Sequence, residues 1–212
     1  MARKTKEEAQ ETRNAILDAA ELVFVERGVS HTSLAAIAAA AGVTRGAIYW
    51  HFASKAALFE ALSLRVIEPL EAKLLEMQAQ PGDNPLDLLR FMTSYFFERV
   101  IDDPRYSRFL EIVWLKCEYV GEMAAIRDTH LQCSNDFLDI NVEAFRLASE
   151  RGYLPAALDP RCAAIGLRGL VDGLVVNWTL DNSLFPLRSY GPAIIDAYLA
   201  GLQRGTSGIP TA

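Results

Sequence analysis

The chain has 212 residues, of which 51% are hydrophobic and 23% charged, as in ordinary soluble globular proteins, and this composition excludes an intrinsically disordered chain. Charge or glycine interrupts every apolar stretch before the roughly 18 residues of a membrane span, and no apolar segment follows the basic N-terminus, so we expect neither a transmembrane helix nor a secretory signal. The net charge of −6, taken for the whole chain, argues against a nucleic-acid-binding protein.

Helical periodicity runs through the chain, and no window combines strand-length alternation with turn signals at both ends, so we predict an all-α fold. Pro69 falls inside one helix and is expected to bend it, because proline removes a hydrogen bond and crowds the preceding turn. Residues 78–85 are expected to be a linker, and residues 206–212 a disordered tail. The predicted helices span about residues 7–27, 34–41, 44–50, 55–77, 86–101, 105–115, 122–151, 160–180 and 188–203.

The charge is unevenly distributed along these helices. Residues 1–65 contain 8 basic and 7 acidic residues, a net charge of +1, whereas residues 66–212 contain 13 and 20, a net charge of −7. Three of the basic residues, Arg3, Lys4 and Lys6, lie at the N-terminus. Such a cluster is usually a solvated chain end, and it indicates nucleic acid only if a binding motif follows.

A helix-turn-helix follows the first predicted helix: two short helices joined by the tight turn Ala41-Gly42-Val43. Glycine permits a backbone angle that is unfavourable for other residues, and Val43 can pack into the angle between the helices. Ile37 and Ile48 have the spacing of a small three-helix core. The alternative is a compact helical hairpin whose aromatic residues belong to an ordinary core.

The second short helix carries more polar and aromatic residues than it can bury: Thr44, Arg45, Gly46, Tyr49, Trp50 and His51. Arg45 can reach the O6 and N7 edge of guanine in a major groove. The start of this helix favours a phosphate. Phosphate oxygens, which position a protein without reading sequence, suit a further set of side chains: Thr32, Ser33, Tyr49, His51 and Lys55.

The segment TSLAAIAAAAGVTRGAIYWHFASKAALF resembles the DNA-binding domain of the TetR family of transcriptional repressors. The opening MARKTKEEAQETR and the run GVTRGAIYWHF are similar, more narrowly, to the acriflavine-resistance branch, which represses multidrug efflux pumps. The resemblance implies that Arg45 and Tyr49 read bases in the major groove, with support from the basic N-terminal arm. It implies phosphate contacts for Thr32, Ser33, Thr44, Trp50, His51 and Lys55. Residues 1–54 would then form the DNA-binding domain, and residues 55–205 a ligand-binding and dimerisation domain.

Two stripes of small residues lie on the last two predicted helices: Cys162, Gly166, Gly169 and Gly173, then Ala193, Ala197, Ala200 and Gly201. Small residues let helices approach closely, so two helices from each of two subunits could form a four-helix interface. Close packing within one subunit is the alternative. The resemblance favours the dimer interface, because TetR proteins dimerise through their last two helices.

Arg168 and Asp172 lie four residues apart on an otherwise apolar helix, where an unpaired buried charge would be costly. We predict that they supply the polar groups of an apolar ligand pocket. An internal ion pair or a dimer contact is the alternative. The predicted pocket walls consist of residues that could each equally be plain core: Leu89, Met92, Phe96, Leu110, Trp114, Phe137, Ile140, Asn141, Val171, Val175 and Val176.

The sequence therefore predicts a cytoplasmic repressor that binds palindromic double-stranded operator DNA as a homodimer and is released by an apolar or aromatic small-molecule inducer. A multidrug efflux pump is the predicted target, with regulation of a catabolic or lipid pathway as the alternative. A helical protein-interaction module and an enzyme are the rival classes. No nucleophile–base pair, metal-ligand spacing or phosphate loop supports an enzyme, and the three widely spaced cysteines fit neither a disulfide framework nor a zinc site. We expect no cofactor and no membrane partner.

Overall fold

The computed structural model describes residues 6–78 and 82–204. Within these ranges the chain forms nine α-helices and no β-strand: α1 (Lys6–Arg27), α2 (Leu34–Ala40), α3 (Arg45–His51), α4 (Lys55–Gln78), α5 (Pro85–Asp102), α6 (Pro104–Glu111), α7 (Ala124–Glu150), α8 (Pro160–Leu180) and α9 (Leu187–Gln203). A π-helical turn, Ile112–Lys116, continues α6, and a short 3-10 turn, Gly121–Met123, precedes α7.

The all-α prediction is confirmed, and the predicted helix ends agree with the structure to one residue except at α6 and α7. At α6 the regular hydrogen-bonding pattern stops at Glu111, because the next five residues adopt the wider π turn. Parts of three predictions lie outside the described residues: the basic arm with Arg3 and Lys4, the linker at 79–81, and the tail.

The backbone forms two compact units. The first unit comprises Met1–Leu70 and Arg105–Thr129, and the second comprises Glu71–Pro104 and His130–Ala212. Helix α4 contributes to both, and the division follows Leu70, the residue directly after the proline inside this helix. The domain boundary predicted at residues 54 and 55 stays a prediction.

Aromatic side chains of α1, α4 and α6 form the centre of the first unit. The ring centroids of Phe24 and Phe59 lie 6.1 Å apart and those of Phe59 and Phe109 6.3 Å apart, at tilted angles that favour aromatic pairs. Ile37 of α2 and Ile48 of α3 are completely buried in the same unit. Because α2 and α3 have only seven residues each, too few for a stable isolated helix, this packing is what stabilises them.

A cluster of ion pairs joins α1, α4 and α6 in the same unit. Glu21 is only 2% exposed and accepts hydrogen bonds from Arg65, at 3.0 Å, and from Arg108. Asp18 pairs with Arg65 at 2.6 Å and with Arg105 at 3.2 Å. Charged hydrogen-bond partners compensate the buried Glu21 carboxylate for its lost hydration, which is why it is tolerated there.

Two glycines allow α5, α8 and α9 to pack closely in the second unit. At Gly191 a Cβ atom would lie 2.7 Å from Cδ2 and Cε2 of the buried Phe97. At Gly166 a Cβ atom would overlap the hydroxyl oxygen of Tyr198 and lie 3.2 Å from its Cζ. Tyr198 in turn donates a hydrogen bond of 2.8 Å to the carbonyl oxygen of Ala163. Both glycines therefore serve the packing of this unit.

Helix α8 leaves much of its apolar surface uncovered. It has 21 residues and is long and apolar enough, by length and composition only, to cross a membrane. Such a helix was not predicted from the sequence, because charge and glycine interrupt the apolar stretches. Only 22% of its most apolar stretch is buried within the chain. Ile165 and Leu180 are among its exposed large side chains. One such helix is weak evidence for a membrane span, and a protein interface covers the same kind of surface.

Candidate nucleic-acid interface and ligand-binding residues

Helix α3 begins at a well-formed N-cap and exposes a polar and aromatic face. The Oγ1 atom of Thr44 accepts a hydrogen bond of 3.1 Å from the backbone N–H of Ala47, which caps the helix. Ile48 faces inward and is completely buried. The exposed residues are Arg45, Gly46, Tyr49 and Trp50. The Trp50 side chain is 72% exposed, which is unusual for an indole unless its surface meets a partner.

The side chains of this face contact one another. The guanidinium carbon of Arg45 lies 5.8 Å from the ring centroid of Tyr49, within the range of a cation–π interaction. The rings of Trp50 and His51 meet edge to face with their centroids 4.5 Å apart. Stacking uses the face of a guanidinium, so the N–H groups in the plane of Arg45 stay available for the edge of a base.

The turn and the cap that precede α3 also follow the helix-turn-helix pattern. Gly42 has a φ angle of +67°, in the left-handed region that favours glycine, and the N–H of Val43 donates to the carbonyl oxygen of Ala38 at 2.9 Å. Ser33 is exposed and caps α2, accepting a hydrogen bond from the N–H of Ala36 at 3.2 Å. Its hydroxyl hydrogen remains free to donate to a phosphate oxygen.

Thr32 differs from the other predicted phosphate ligands, because its side chain is buried. Its Oγ1 donates a hydrogen bond of 2.7 Å to the carbonyl oxygen of Gly28. The hydroxyl proton is therefore used inside the fold, and in this conformation Thr32 has none to offer to a phosphate.

Lys55 is likewise enclosed, although the sequence placed it among the surface cations. The side chain is 10% exposed, and its Nζ donates to the carbonyl oxygens of Val29 at 2.8 Å and Thr32 at 3.1 Å. Glu122 completes the set with Oε1 at 3.3 Å. We call Lys55 with these three oxygens the Lys55 cluster. Glu122 had no signal in the sequence, because it lies 67 residues away in a segment without a recognisable motif.

The predicted polar pair of the ligand site forms an ion pair in the second unit. Arg168 Nε lies 3.3 Å from Asp172 Oδ2, and the Arg168 guanidinium also donates to the carbonyl oxygen of Ser134 at 3.2 Å. Burial raises the pKa of Asp172 even though Arg168 opposes the shift. Burial, followed by the charge of Arg168, lowers the pKa of His130. The pair thus belongs to a polar cluster that includes Ser134 and His130 of α7. Sequence reasoning did not identify His130 as part of this site.

The thirteen residues predicted to line the ligand pocket are divided between the two units. Leu110 and Trp114 belong to the first unit and the other eleven to the second. Leu89, Leu110 and Val175 are buried. The partly buried residues are Met92, Trp114, Phe96, Phe137, Ile140, Asn141, Val171 and Val176, together with the ion pair.

A cleft of about 520 Å³ lies within the second unit, between the end of α4, the start of α5 and the C-terminal half of α7. Its lining is mostly apolar and includes Met77, Leu88 and Leu147. Of the predicted pocket residues only Ile140 lines it, so this cleft and the predicted pocket are different places.

The small residues predicted at a dimer interface fall into two groups. Gly166 packs against Tyr198 inside the unit, as the alternative of packing within one subunit proposes. A Cβ atom at Gly169 or Gly173 would meet nothing within 4 Å. Gly169, Gly173, Ala193 and Ala197 are exposed, whereas Cys162, Ala200 and Gly201 are partly buried.

Among the described residues, no group of three or more His, Cys, Asp or Glu side chains could hold a metal ion. Cys117 and Cys162 carry free thiols. Burial raises the pKa of the Cys117 thiol to about 11, so the thiol is neutral at physiological pH.

Two family models match the chain. Residues 16–62 match the model of bacterial regulatory proteins of the tetR family. Residues 84–204 match the C-terminal region of MAATS-type transcriptional repressors. The two matches together cover the helix-turn-helix and most of the helices that follow it.

Individual proteins are similar over nearly the whole length. The HTH-type transcriptional regulator AcrR of Shigella flexneri is 44% identical, over 94% of both chains. The structure of NalD, the secondary repressor of the MexAB-OprM multidrug efflux pump in Pseudomonas aeruginosa, superposes with a TM-score of 0.85 at 34% identity and covers 95% of this chain and 100% of NalD. The triclosan complex of SmeT, the repressor of the Stenotrophomonas maltophilia multidrug efflux pump SmeDEF, gives a TM-score of 0.79 at 33% identity and covers 90% of this chain and 91% of SmeT.

Proposed function

This chain belongs to the TetR family of bacterial regulatory proteins, and we propose that it represses transcription as a homodimer bound to a palindromic operator, with one α3 helix in each of two successive major grooves. It is a ligand-responsive repressor that acts in the cytoplasm. The proposed target is a set of multidrug efflux genes, because NalD and SmeT, which repress such pumps, share a third of their residues with it.

The exposed face of α3 is the observation that carries the DNA-binding proposal. Arg45, Tyr49 and Trp50 point away from the core while Ile48 fixes the opposite side of the same short helix. Arg45 reads a base edge, and Tyr49 packs beside it. The side chains of Ser33, Thr44 and His51 border this face, and together with Trp50 they contact the sugar–phosphate backbone.

Fluorescence anisotropy with labelled DNA from the region next to the protein's own gene tests this proposal. Arg45→Ala should weaken binding about 5- to 150-fold, equivalent to ~1–3 kcal/mol, and relax the preference at one base pair of each half-site. Arg27→Ala is the matched control, because Arg27 is an exposed cation of the same unit that pairs with Glu26 outside this face. Equal effects of both variants, or no binding by the unaltered chain, would overturn the proposal.

The dimer is proposed to form through α8 and α9. Gly169 and Gly173 leave a shallow exposed surface on α8, and Ala193 and Ala197 do the same on α9. The exposed Ile165 adds apolar area to this surface. Burial of such a surface against a second copy accounts for its composition.

We propose that an apolar or aromatic ligand releases the repressor by binding better to a form that cannot place both α3 helices on the operator. Operator DNA must then weaken ligand binding by the same factor by which the ligand weakens DNA binding, on the order of 5–150-fold for a typical coupling. Triclosan is the probe of choice, because a solved structure is of a complex of SmeT with triclosan. Calorimetric titration of triclosan with and without operator measures how much DNA weakens ligand binding. Anisotropy with and without triclosan measures how much the ligand weakens DNA binding. Unequal factors would contradict a simple two-state release.

Deletion of the gene distinguishes the efflux target from the alternative of a catabolic or lipid pathway. We expect transcripts of a neighbouring transporter operon to rise in the deletion strain. A rise confined to metabolic enzymes would favour the alternative.

A further inference from the structure

The turn between α1 and α2 is held by a segment from outside the helix-turn-helix. The buried N–H of Val29 donates a hydrogen bond of 2.9 Å to the carbonyl oxygen of Lys116, the last residue of the π turn. Gly28 has a φ angle of +78°, and a Cβ atom there would lie 3.4 Å from the same carbonyl oxygen. The left-handed backbone is what favours glycine here, and a Cβ atom at this distance would make only an ordinary contact with the incoming segment.

The Lys55 cluster makes a second connection between the same two parts. Its ammonium binds two carbonyl oxygens of this turn, those of Val29 and Thr32, and the carboxylate of Glu122. Its three donors thus have three oxygen partners within 3.3 Å, as a buried ammonium requires.

These contacts fix the path of the chain directly before α2. Ser33, which caps α2, follows Thr32 immediately, so the direction in which α2 and then α3 leave depends on this turn. Residues 116–122 run from the last residue of the π turn into the 3-10 turn that precedes α7, and α7 continues into the second unit. A shift of this short segment would therefore reach α2 and α3 through the turn between α1 and α2.

We infer that Glu122 and the main chain at Lys116 are positioning groups for operator binding, and that Lys55 serves the operator by holding the turn against them rather than by touching phosphate. This inference rests on the proposed DNA-binding function. It assigns a role to the segment 116–122, which lies outside the helix-turn-helix.

The two roles of Lys55 differ in their salt dependence. Each lysine that neutralises a phosphate contributes about 0.9 to the slope of log affinity against log salt concentration. Loss of a phosphate-binding lysine therefore lowers the slope, whereas loss of a positioning lysine lowers affinity at every salt concentration alike. The two roles of a carboxylate differ in the same way in their effect on operator affinity. A carboxylate near DNA repels phosphate, so neutralising it should strengthen binding. If the carboxylate holds the binding face in place, neutralising it should weaken binding instead.

The experiment measures operator affinity from 50 to 300 mM salt for the unaltered chain, Glu122→Gln, Lys55→Met and the double variant, with circular dichroism as a check on folding. Asp128→Asn is the matched control, since Asp128 is an exposed carboxylate of the next helix and pairs with Arg127. We expect Glu122→Gln to weaken binding about two- to fivefold, the range that corresponds to a partly exposed ion pair, with an unchanged slope. Lys55→Met should weaken it more, also with an unchanged slope, and adding Glu122→Gln to it should cost nothing further.

Three outcomes would overturn the inference: a slope reduced by Lys55→Met, binding by Glu122→Gln as tight as or tighter than that of the unaltered chain, or an equal loss in Asp128→Asn. If Lys55→Met fails to fold, Glu122→Gln and its control decide the matter, because the Glu122 side chain is 52% exposed and its loss leaves two carbonyl partners for the ammonium. Failure of the unaltered chain to bind any flanking DNA would instead remove the proposed function itself.

Discussion

Gly166→Ala isolates one contact between α8 and α9. The new methyl group would overlap the Tyr198 hydroxyl, which donates to Ala163 at 2.8 Å, so the tyrosine must move and give up this hydrogen bond. Alanine favours the helix by about 1 kcal/mol over glycine. The lost hydrogen bond costs about 1 kcal/mol and the overpacking about 1–3 kcal/mol. The free energy of unfolding should therefore fall by about 1–3 kcal/mol, despite the better helix former.

A double-mutant cycle with Tyr198→Phe tests the origin of this loss. In the phenylalanine background the hydroxyl and its hydrogen bond are already absent, and the nearest remaining ring atom, Cζ, lies 3.2 Å from the added methyl group. Gly166→Ala should then cost about 1 kcal/mol or less, which gives a coupling of about 1–2 kcal/mol between the two positions.

Equilibrium unfolding in guanidinium chloride measures all four proteins, at one fixed protomer concentration because dimerisation changes apparent stability. The slope of free energy against denaturant should stay constant across the set. If Gly166→Ala costs the same in both backgrounds, the contact with Tyr198 is not the reason for glycine at this position.

Three further predictions concern other contacts. Gly169→Ala, on the exposed side of α8, should weaken dimerisation in sedimentation equilibrium without lowering protomer stability, and an unchanged dimer would contradict the proposed interface. Glu21→Gln should lower the free energy of unfolding by about 3 kcal/mol, because it leaves two arginines without their shared carboxylate. Asp18 is half-exposed, so Asp18→Asn should lower it by less than about 1 kcal/mol. Equal losses in the two variants would contradict this reasoning. Because the pKa of His130 is lowered below 6.5 in the folded chain, the unfolded chain binds the proton more readily, and stability should fall as pH drops through 6.5. Denaturant unfolding at pH 7.5 and 5.5 should show a smaller loss in His130→Gln, and an equal loss would assign the pH dependence elsewhere.

Local signals explain why the helices could be predicted from the sequence. Ser33 and Thr44 stand at N-caps, and Gly28 and Gly42 adopt the left-handed backbone that ends a helix. These signals depend on neighbours a few residues apart, so the sequence displays them directly. The exposed face of α3 was predictable for the same reason, because one helical turn determines which side chains share a side.

Contacts between distant segments were not predictable. Lys55 looked like a surface cation, because nothing near it in the sequence shows that Val29, Thr32 and Glu122 enclose its ammonium. Gly166 and Gly169 belong to the same stripe in the sequence, yet one faces Tyr198 and the other faces outward. Helix α8 is apolar on nearly every side, so its periodicity does not distinguish the inner side from the outer one.

The exposure of Trp50 gives the protein a built-in optical reporter. Trp114 and Trp178, the other two tryptophans, are partly buried, so the indole on α3 is the one that water surrounds most. An indole in water emits at longer wavelength than a shielded one, and operator contact would shield Trp50. Unlabelled operator DNA should therefore shift the intrinsic tryptophan fluorescence to shorter wavelength, with the largest change on the long-wavelength side of the band. Trp50→Phe should abolish this shift.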